Sequence, residues 1–454
     1  MLIGDTITLE ITKLNSEGEG IGKVDNFVFF VKDTCPGDTV NCKITKLKKS
    51  FGYAELKEIL TPSPERTQPR CKLHKVCGAC NLQHIKYDAQ LRFKKEILED
   101  TLRFVLPKDV EIQNIIGSDD GYEYRAKIQY PVASPKNSNR ILAGYYQKAS
   151  HELINIKYCP IQPRRIDEII EYIKEEAEKC QISAYNEKSH SGELRHIVIR
   201  YSQSNKKILV LLVTNTDLIS ESLKRLANNI YNEFEDVIGV SANFNTARNN
   251  VILGEKTICI IGQDYIEESL CDVNFKISGD TFFQVNPSCA NKMFNYIKDF
   301  VKSNYTKPII FDAYAGIAAF GICLNDIAKT VTSVELNAAS IKKAEENIKE
   351  IGISNITPIC ADTLKYLKET KQTFDIAITD PPRKGCDKEV LEQLLKVTKD
   401  TIVYVSCNPA TLARDLEILL ANGCKILKIQ PFDMFPQTAH LETVVFIKTP
   451  QPSP

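Results

Sequence analysis

The sequence predicts an α/β chain in three parts: a small N-terminal β-barrel over residues 1–60, an α+β domain over 61–290, and a C-terminal doubly wound parallel sheet over 291–454. Three observations predict it. Short alternating apolar and polar runs separated by Gly and Pro turns fill the first sixty residues, and strand and helix periods mix in the middle. From Pro308 onward, apolar runs of strand length alternate with helical stretches. At 454 residues the chain exceeds what one core organises, so several domains are expected.

In the barrel, runs at 6–11, 27–31 and 39–45 are bounded by turns at 18–22 and 36–37, the spacing of five short strands. Lys46, Lys48, Lys49, Phe51 and Tyr53 interleave charge with aromatics, which offers phosphate contacts beside stacking surfaces. An ordinary exposed edge strand would look the same. A Pro-containing linker at 61–69 follows. The middle part carries helical patterns at 88–105 and 162–180 and strand patterns at 126–130, 141–146, 196–201, 208–214 and 237–244. The last part carries strands at 309–313, 330–335, 356–360, 376–380 and 402–406. No internal repeat is present, and the only biased tract is the Pro-rich tail at 450–454.

Net charge is zero, yet residues 61–165 hold 18 Lys and Arg against 11 Asp and Glu. Phosphate neutralisation needs a basic face rather than a basic protein, so this surplus of seven is compatible with RNA. No run approaches the roughly 20 apolar residues of a membrane helix, and residues 1–10 lack a signal-peptide layout, so a cytoplasmic protein without membrane contact is expected. Most of the fifteen cysteines are scattered singly and are expected to be reduced and buried.

Cys71, Cys77 and Cys80 are the exception, spaced C-x5-C-x2-C, with Cys159 in Tyr158-Cys159-Pro160 as a remote fourth thiol. Three clustered thiolates and one distant one can close a tetrahedral site. The spacing leaves zinc and an iron–sulfur cluster open.

The strand at 309–313 ends in Asp312-Ala313-Tyr314-Ala315-Gly316, a turn that lets backbone approach a ligand at the strand's C-terminal edge. A second strand ends in Glu335, where a carboxylate accepts hydrogen bonds from ribose hydroxyls. The G-x-G-x-x-G of nicotinamide enzymes is absent, which favours S-adenosylmethionine. Asp362, after the next strand, is a lesser candidate for the adenine edge. In Asp380-Pro381-Pro382-Arg383 two prolines fix the backbone and remove two donors beside the ligand pocket. A similar Pro-Pro turn marks amino-group methyltransferases, but Arg383 stands where those carry an aromatic. Ser406-Cys407-Asn408-Pro409 closes the following strand; a lone cysteine there is more often structural.

The N-terminal segment resembles the TRAM domain, an RNA-binding barrel of tRNA and rRNA modifying enzymes. The run Phe282-Phe283-Gln284-Val285-Asn286, which packing alone would assign to the core, resembles a signature of the RNA (uracil-5-)-methyltransferase family. So do the Asp380 turn, the Cys407 segment, and Asp433-Met434-Phe435-Pro436-Gln437-Thr438 with His440 and Glu442. The resemblance implies cofactor contacts for Gln284, Tyr314, Glu335 and Asp380, with S-adenosylmethionine as methyl donor. It departs at Ala315, Ala318 and Ala319, where the family favours cysteine, glycine and threonine, and an alanine Cβ limits φ in that turn. Carbon 5 of uracil is too weak a nucleophile to take a methyl group unaided. The resemblance therefore gives Cys407 the role of nucleophile at carbon 6, and Glu442 that of the base which removes the carbon 5 proton. The cysteine spacing after such a barrel resembles the [4Fe-4S] site of 23S rRNA members and implies action on 23S rRNA; a monomer is expected. Methylation of tRNA and a non-catalytic RNA-binding protein on the same fold are the alternatives.

Overall fold

A computed structural model describes residues 1–148 and 150–450. Of the Pro-rich tail, 451–454 lies outside the described residues. Thr6–Leu14, Gly20–Val24, Phe27–Val31, Thr39–Leu47 and Phe51–Thr61 close into a five-stranded barrel. Alternation sends Leu9, Ile11, Phe29, Val31, Val40 and Ile44 inward, where they form one buried cluster. Gly52 is required there, because a Cβ would stand 2.6 Å from the Phe29 ring. Outside, Phe30, Phe51 and Tyr53 pack edge to edge with centroids 5.5–5.7 Å apart, beside exposed Lys46, Lys48 and Lys49.

The middle of the chain builds a seven-stranded sheet running from Lys256–Gly262 through Val237–Phe244, Ile208–Thr214, Leu194–Tyr201, Lys127–Ala133 and Leu142–Tyr146 to Leu153–Asn155. Helices Arg164–Lys179 and Glu221–Glu233 bury Ile166, Ile170, Ile173, Leu223 and Leu226 against it. Helix Tyr87–Leu102 belongs elsewhere: Leu98 and Leu102 sit in the core of the C-terminal sheet. The hairpin of Tyr265–Leu270 and Val273–Ser278 likewise packs Ile266, Phe275 and Ile277 with C-terminal residues.

That sheet runs Ile356–Cys360, Thr330–Glu335, Ile309–Ala313, Phe374–Thr379, Thr398–Ser406, Glu442–Lys448, Lys425–Phe432. The first five strands are parallel, Glu442–Lys448 is antiparallel to them, and Lys425–Phe432 pairs antiparallel with Glu442–Lys448. Helices on both faces explain why successive residues Ile376, Ala377 and Ile378, and Ile402, Val403, Tyr404 and Val405, are all fully buried, as strands covered on two sides require. Burial of each such side chain contributes about 1.5–3 kcal/mol. Strand order reverses between Ile309–Ala313 and Phe374–Thr379, so the turns that follow these two strands open a crevice at their C-terminal ends. Among the described residues no helix is long and apolar enough to cross a membrane.

Candidate active site at the sheet edge

The crevice gathers the residues singled out above. The turn after Ile309–Ala313 is left-handed at Tyr314 (φ +57°), Gly316 (φ +56°) and Ala318 (φ +57°). Ala318 therefore holds a conformation that costs an L-residue about 1–2 kcal/mol. A Cβ on Gly316 would meet nothing within 4 Å, so the turn borders open space. The Gly316 N–H donates to Glu335 Oε2 (3.0 Å) and the Asn337 N–H to Glu335 Oε1 (2.8 Å), which orients that half-buried carboxylate at the crevice. Asp362 caps the helix Thr363–Glu369 by accepting the Lys365 N–H at 2.9 Å. Gln284 is half-buried; of the two aromatics before it, Phe283 is core but Phe282 is 67% exposed, so the packing assignment holds for only one of them.

Asp312, on the strand that leads into the turn, has no role in the motif. It is fully buried, its Oδ2 accepts from Ser333 Oγ (3.0 Å) and the Gly321 N–H (3.3 Å), and its Oδ1 has no partner. Burial pushes its carboxyl up to about 7, with Asp380 and Glu335 adding to the shift. A charged side chain interrupting the apolar strand Ile-Ile-Phe-Asp-Ala was the available signal. An orphaned carboxylate oxygen, an open glycine turn and several clustered carboxylates fit a ligand carrying positive charge and hydroxyl donors.

Strand register brings Cys407 and Glu442 together. Ser406 pairs with Thr443 on the antiparallel neighbour, so the next residue along one strand stands opposite the preceding residue on the other. Cys407 is half-buried just before the helix Pro409–Ala421, which Asn408 caps through the Ala410 N–H (3.1 Å). Burial pushes its thiol up to about 11, the Glu442 and Asp380 carboxylates adding and Arg383 opposing. Glu442 is 4% exposed, and burial, then Asp380, hold its carboxyl well above the usual range, again against Arg383. Burial also pushes Asp380 up to about 7. Arg383, read only as the wrong residue for another enzyme class, is thus the cation that opposes both shifts. Desolvation by the surrounding protein and then Arg383 lower the pKa of the His440 ring, which borders with Arg383 a groove of about 620 Å³ that reaches the barrel turn at Glu17 and Gly18.

The four cysteines also meet. Cys71, Cys77, Cys80 and Cys159 line one small pocket walled by Leu73, Ile156 and Tyr158. Burial raises all four thiols, Cys80 to about 11, and the neighbouring thiols add to the shift at Cys77, Cys80 and Cys159. Among the described residues no three His, Cys, Asp or Glu side chains are grouped so as to hold one metal ion.

Comparison with known proteins gives a family and a domain. Residues 86–450 match the family described as tRNA (Uracil-5-)-methyltransferase, and residues 2–57 match the TRAM domain. An RNA methyltransferase of Clostridium acetobutylicum, described as uncharacterized, is 40% identical over 444 residues, 96% of each chain. One from Clostridium tetani, described likewise, is 36% identical over 445 residues, 97% of this chain and 96% of its own. The crystal structure of Pyrococcus abyssi tRNA (uracil-54, C5)-methyltransferase with S-adenosyl-L-homocysteine is 27% identical with a TM-score of 0.78, covering 97% of this chain and all of its own.

Proposed function

The chain belongs to the tRNA (uracil-5-)-methyltransferase family, and on that premise we propose that Cys407 and Glu442 methylate carbon 5 of a uridine through a covalent protein–RNA adduct. It is an RNA methyltransferase of the uracil-5 class that uses S-adenosylmethionine. The observation that carries the mechanism is the register that sets Cys407 opposite Glu442 at the mouth of the crevice.

The target base leaves its stack to reach the crevice, as chemistry on a base requires. Gln284, Tyr314, Glu335 and Asp380 hold the cofactor, whose sulfonium supplies the methyl group and a positive charge. Burial raises both the Cys407 thiol and the Glu442 carboxyl, so positive charge nearby favours the ionised form of each, and Glu442 gives up its proton to solvent before it acts as base. Arg383 already acts in that direction, and Asp380, at about 7, can hold the thiol proton. The Cys407 sulfur then adds at carbon 6, and its electron pair makes carbon 5 enolate-like. After carbon 5 takes the methyl group, Glu442 accepts the carbon 5 proton and the carbon 6–sulfur bond breaks.

The substrate we propose is 23S rRNA, on the resemblance of the barrel and cysteine spacing. The second reading is tRNA, favoured by the Pyrococcus abyssi structure, which aligns along nearly the whole chain, barrel included, and is described as a tRNA enzyme. The expected setting is the cytoplasm, as a monomer, with the domain limits 1–60, 61–290 and 291–454. For the cysteine pocket we propose a [4Fe-4S] cluster held by Cys71, Cys77, Cys80 and Cys159. What supports the reading is the C-x5-C-x2-C spacing directly after the barrel, with all four thiols lining one pocket.

The test is Glu442→Gln incubated with labelled S-adenosylmethionine and either 23S rRNA fragments or tRNA. The amide lets Cys407 add and the methyl group move but cannot take the proton, so a methylated protein–RNA adduct stable to denaturing electrophoresis accumulates. Mapping the trapped nucleotide identifies the substrate. Normal turnover without an adduct would assign proton removal to another group.

A further inference from the structure

We infer that Asn81 is a positioning residue for Glu442, tying the loop that precedes this glutamate to the cysteine loop and to the barrel. The inference rests on the role proposed for Glu442.

Among the described residues the Glu442 carboxylate has no hydrogen-bond partner, so its place depends on packing and on the backbone that carries it. That backbone is the first rung of the Glu442–Lys448 strand, paired with Phe432 across the connecting loop 433–441. A terminal rung at the mouth of a loop is where a ladder frays first. The loop is held shut from outside. The Asn81 N–H donates to the Gln437 carbonyl (3.1 Å), and so does the Leu82 N–H (3.0 Å). Asn81 Oδ1 accepts the Ala439 N–H (3.0 Å), and Asn81 Nδ2 donates to the Glu17 carbonyl (2.6 Å) in the first barrel turn. One side chain therefore joins three segments that are far apart in sequence, and it directly follows Cys80.

The clamped loop is strained. Gln437 is buried and left-handed at φ +68°, and only external bonds can sustain such a conformation in a residue other than glycine. Gln90 supplies two of them, accepting from the Gln437 N–H (3.1 Å) and donating to its Oε1 (3.0 Å); Asn81 and Leu82 donate to its carbonyl, and the Gly121 carbonyl accepts from its Nε2 (3.4 Å). Without the Asn81 acceptor, Ala439 is released three residues before the base. Proton removal from carbon 5 is the step that needs that base within hydrogen-bond reach. Earlier steps, in which the cysteine adds and the methyl group moves, do not.

The experiment compares Asn81→Ala, Asn81→Asp and Glu442→Gln on whichever of 23S rRNA or tRNA transcripts the unaltered enzyme methylates. Asn81→Ala should lower kcat about 10²-fold, the effect of a displacement of about 1 Å, with KM for RNA within about twofold. Methylated protein–RNA adduct should stand on the denaturing gel during turnover. Asn81→Asp keeps the acceptor for the Ala439 N–H and should restore release. If Glu442→Gln traps adduct while Asn81→Ala turns over normally, raises KM alone, or is inactive without adduct, the inference is overturned and the role of Glu442 stands. An adduct in Asn81→Ala that Asn81→Asp does not relieve also overturns it. If Glu442→Gln traps nothing, the role of Glu442 falls and the inference with it.

Discussion

Cys407 and Cys80 are both thiols that burial pushes up to about 11, yet their neighbours differ. Beside Cys80 stand the thiols of Cys77 and Cys71, with Arg125 opposing them. Beside Cys407 stand two carboxylates, Glu442 and Asp380, with Arg383 opposing them. The first set is made of thiols with His74 beside them, the chemistry on which the proposed cluster rests. The second is a proton-exchanging set in which the thiol is one member. Burial raises both thiols alike, so the difference between the two settings lies in the surrounding side chains.

Cys407→Ala puts the greatest strain on that distinction. Methylation should fall by at least about 10⁴-fold, as when a nucleophile is removed, while S-adenosylmethionine binding measured by calorimetry stays nearly unchanged. Covalent capture of 5-fluorouridine RNA by this variant would move the nucleophile elsewhere and erase the contrast. Next in size is Cys77→Ser. Protein purified without oxygen should be brown with a broad absorbance shoulder, and this substitution should remove both colour and iron. Colourless unaltered protein carrying about one zinc per chain would make the pocket a single-ion site.

The smallest effect concerns pH. Asp312 and Asp380 lie near 7 against an ordinary 3.8, so the folded chain holds their protons more tightly than the unfolded chain does. Their contribution to the stability of the free protein is full below about 4 and is lost as pH rises to about 7. A cationic cofactor prefers both carboxylates ionised, so S-adenosylmethionine affinity should rise between pH 6 and 8, by up to about tenfold per unit per group. Titration at each pH checks this. The uncharged S-adenosylhomocysteine sulfur should give a flatter curve, and equal slopes for the two ligands would detach the carboxylates from the sulfonium.

The parallel strands were legible because continuous apolar runs such as 309–313, 330–335 and 356–360 have few other uses, and all three coincide with observed strands. The barrel was legible from its turns. Helix Tyr87–Leu102 was recognised, but its partner was not, since an amphipathic period says which face is buried and nothing about what covers it. The site divides the same way. Cys407 and Glu442 stood out through a resemblance, whereas Asp312, Arg383 and Asn81 act through neighbours brought near only by folding. Asn81 has no local pattern at all, because its partners lie at Glu17, Gln437 and Ala439.

Helix Tyr87–Leu102 also sets a timetable for synthesis. Its Lys94, with no side-chain exposure, bonds Asp433 at 2.5 Å, and Tyr87 donates to the same carboxylate at 2.8 Å. A buried ammonium without its carboxylate is costly by several kcal/mol, so the helix cannot settle into its final seat until that partner exists. The two residues are 339 positions apart, and a ribosome adding 5–20 residues per second needs roughly 17–68 s to span them. For that interval the barrel can be complete while the helix beside it waits, and the reaction centre is assembled only as the last strands leave the ribosome.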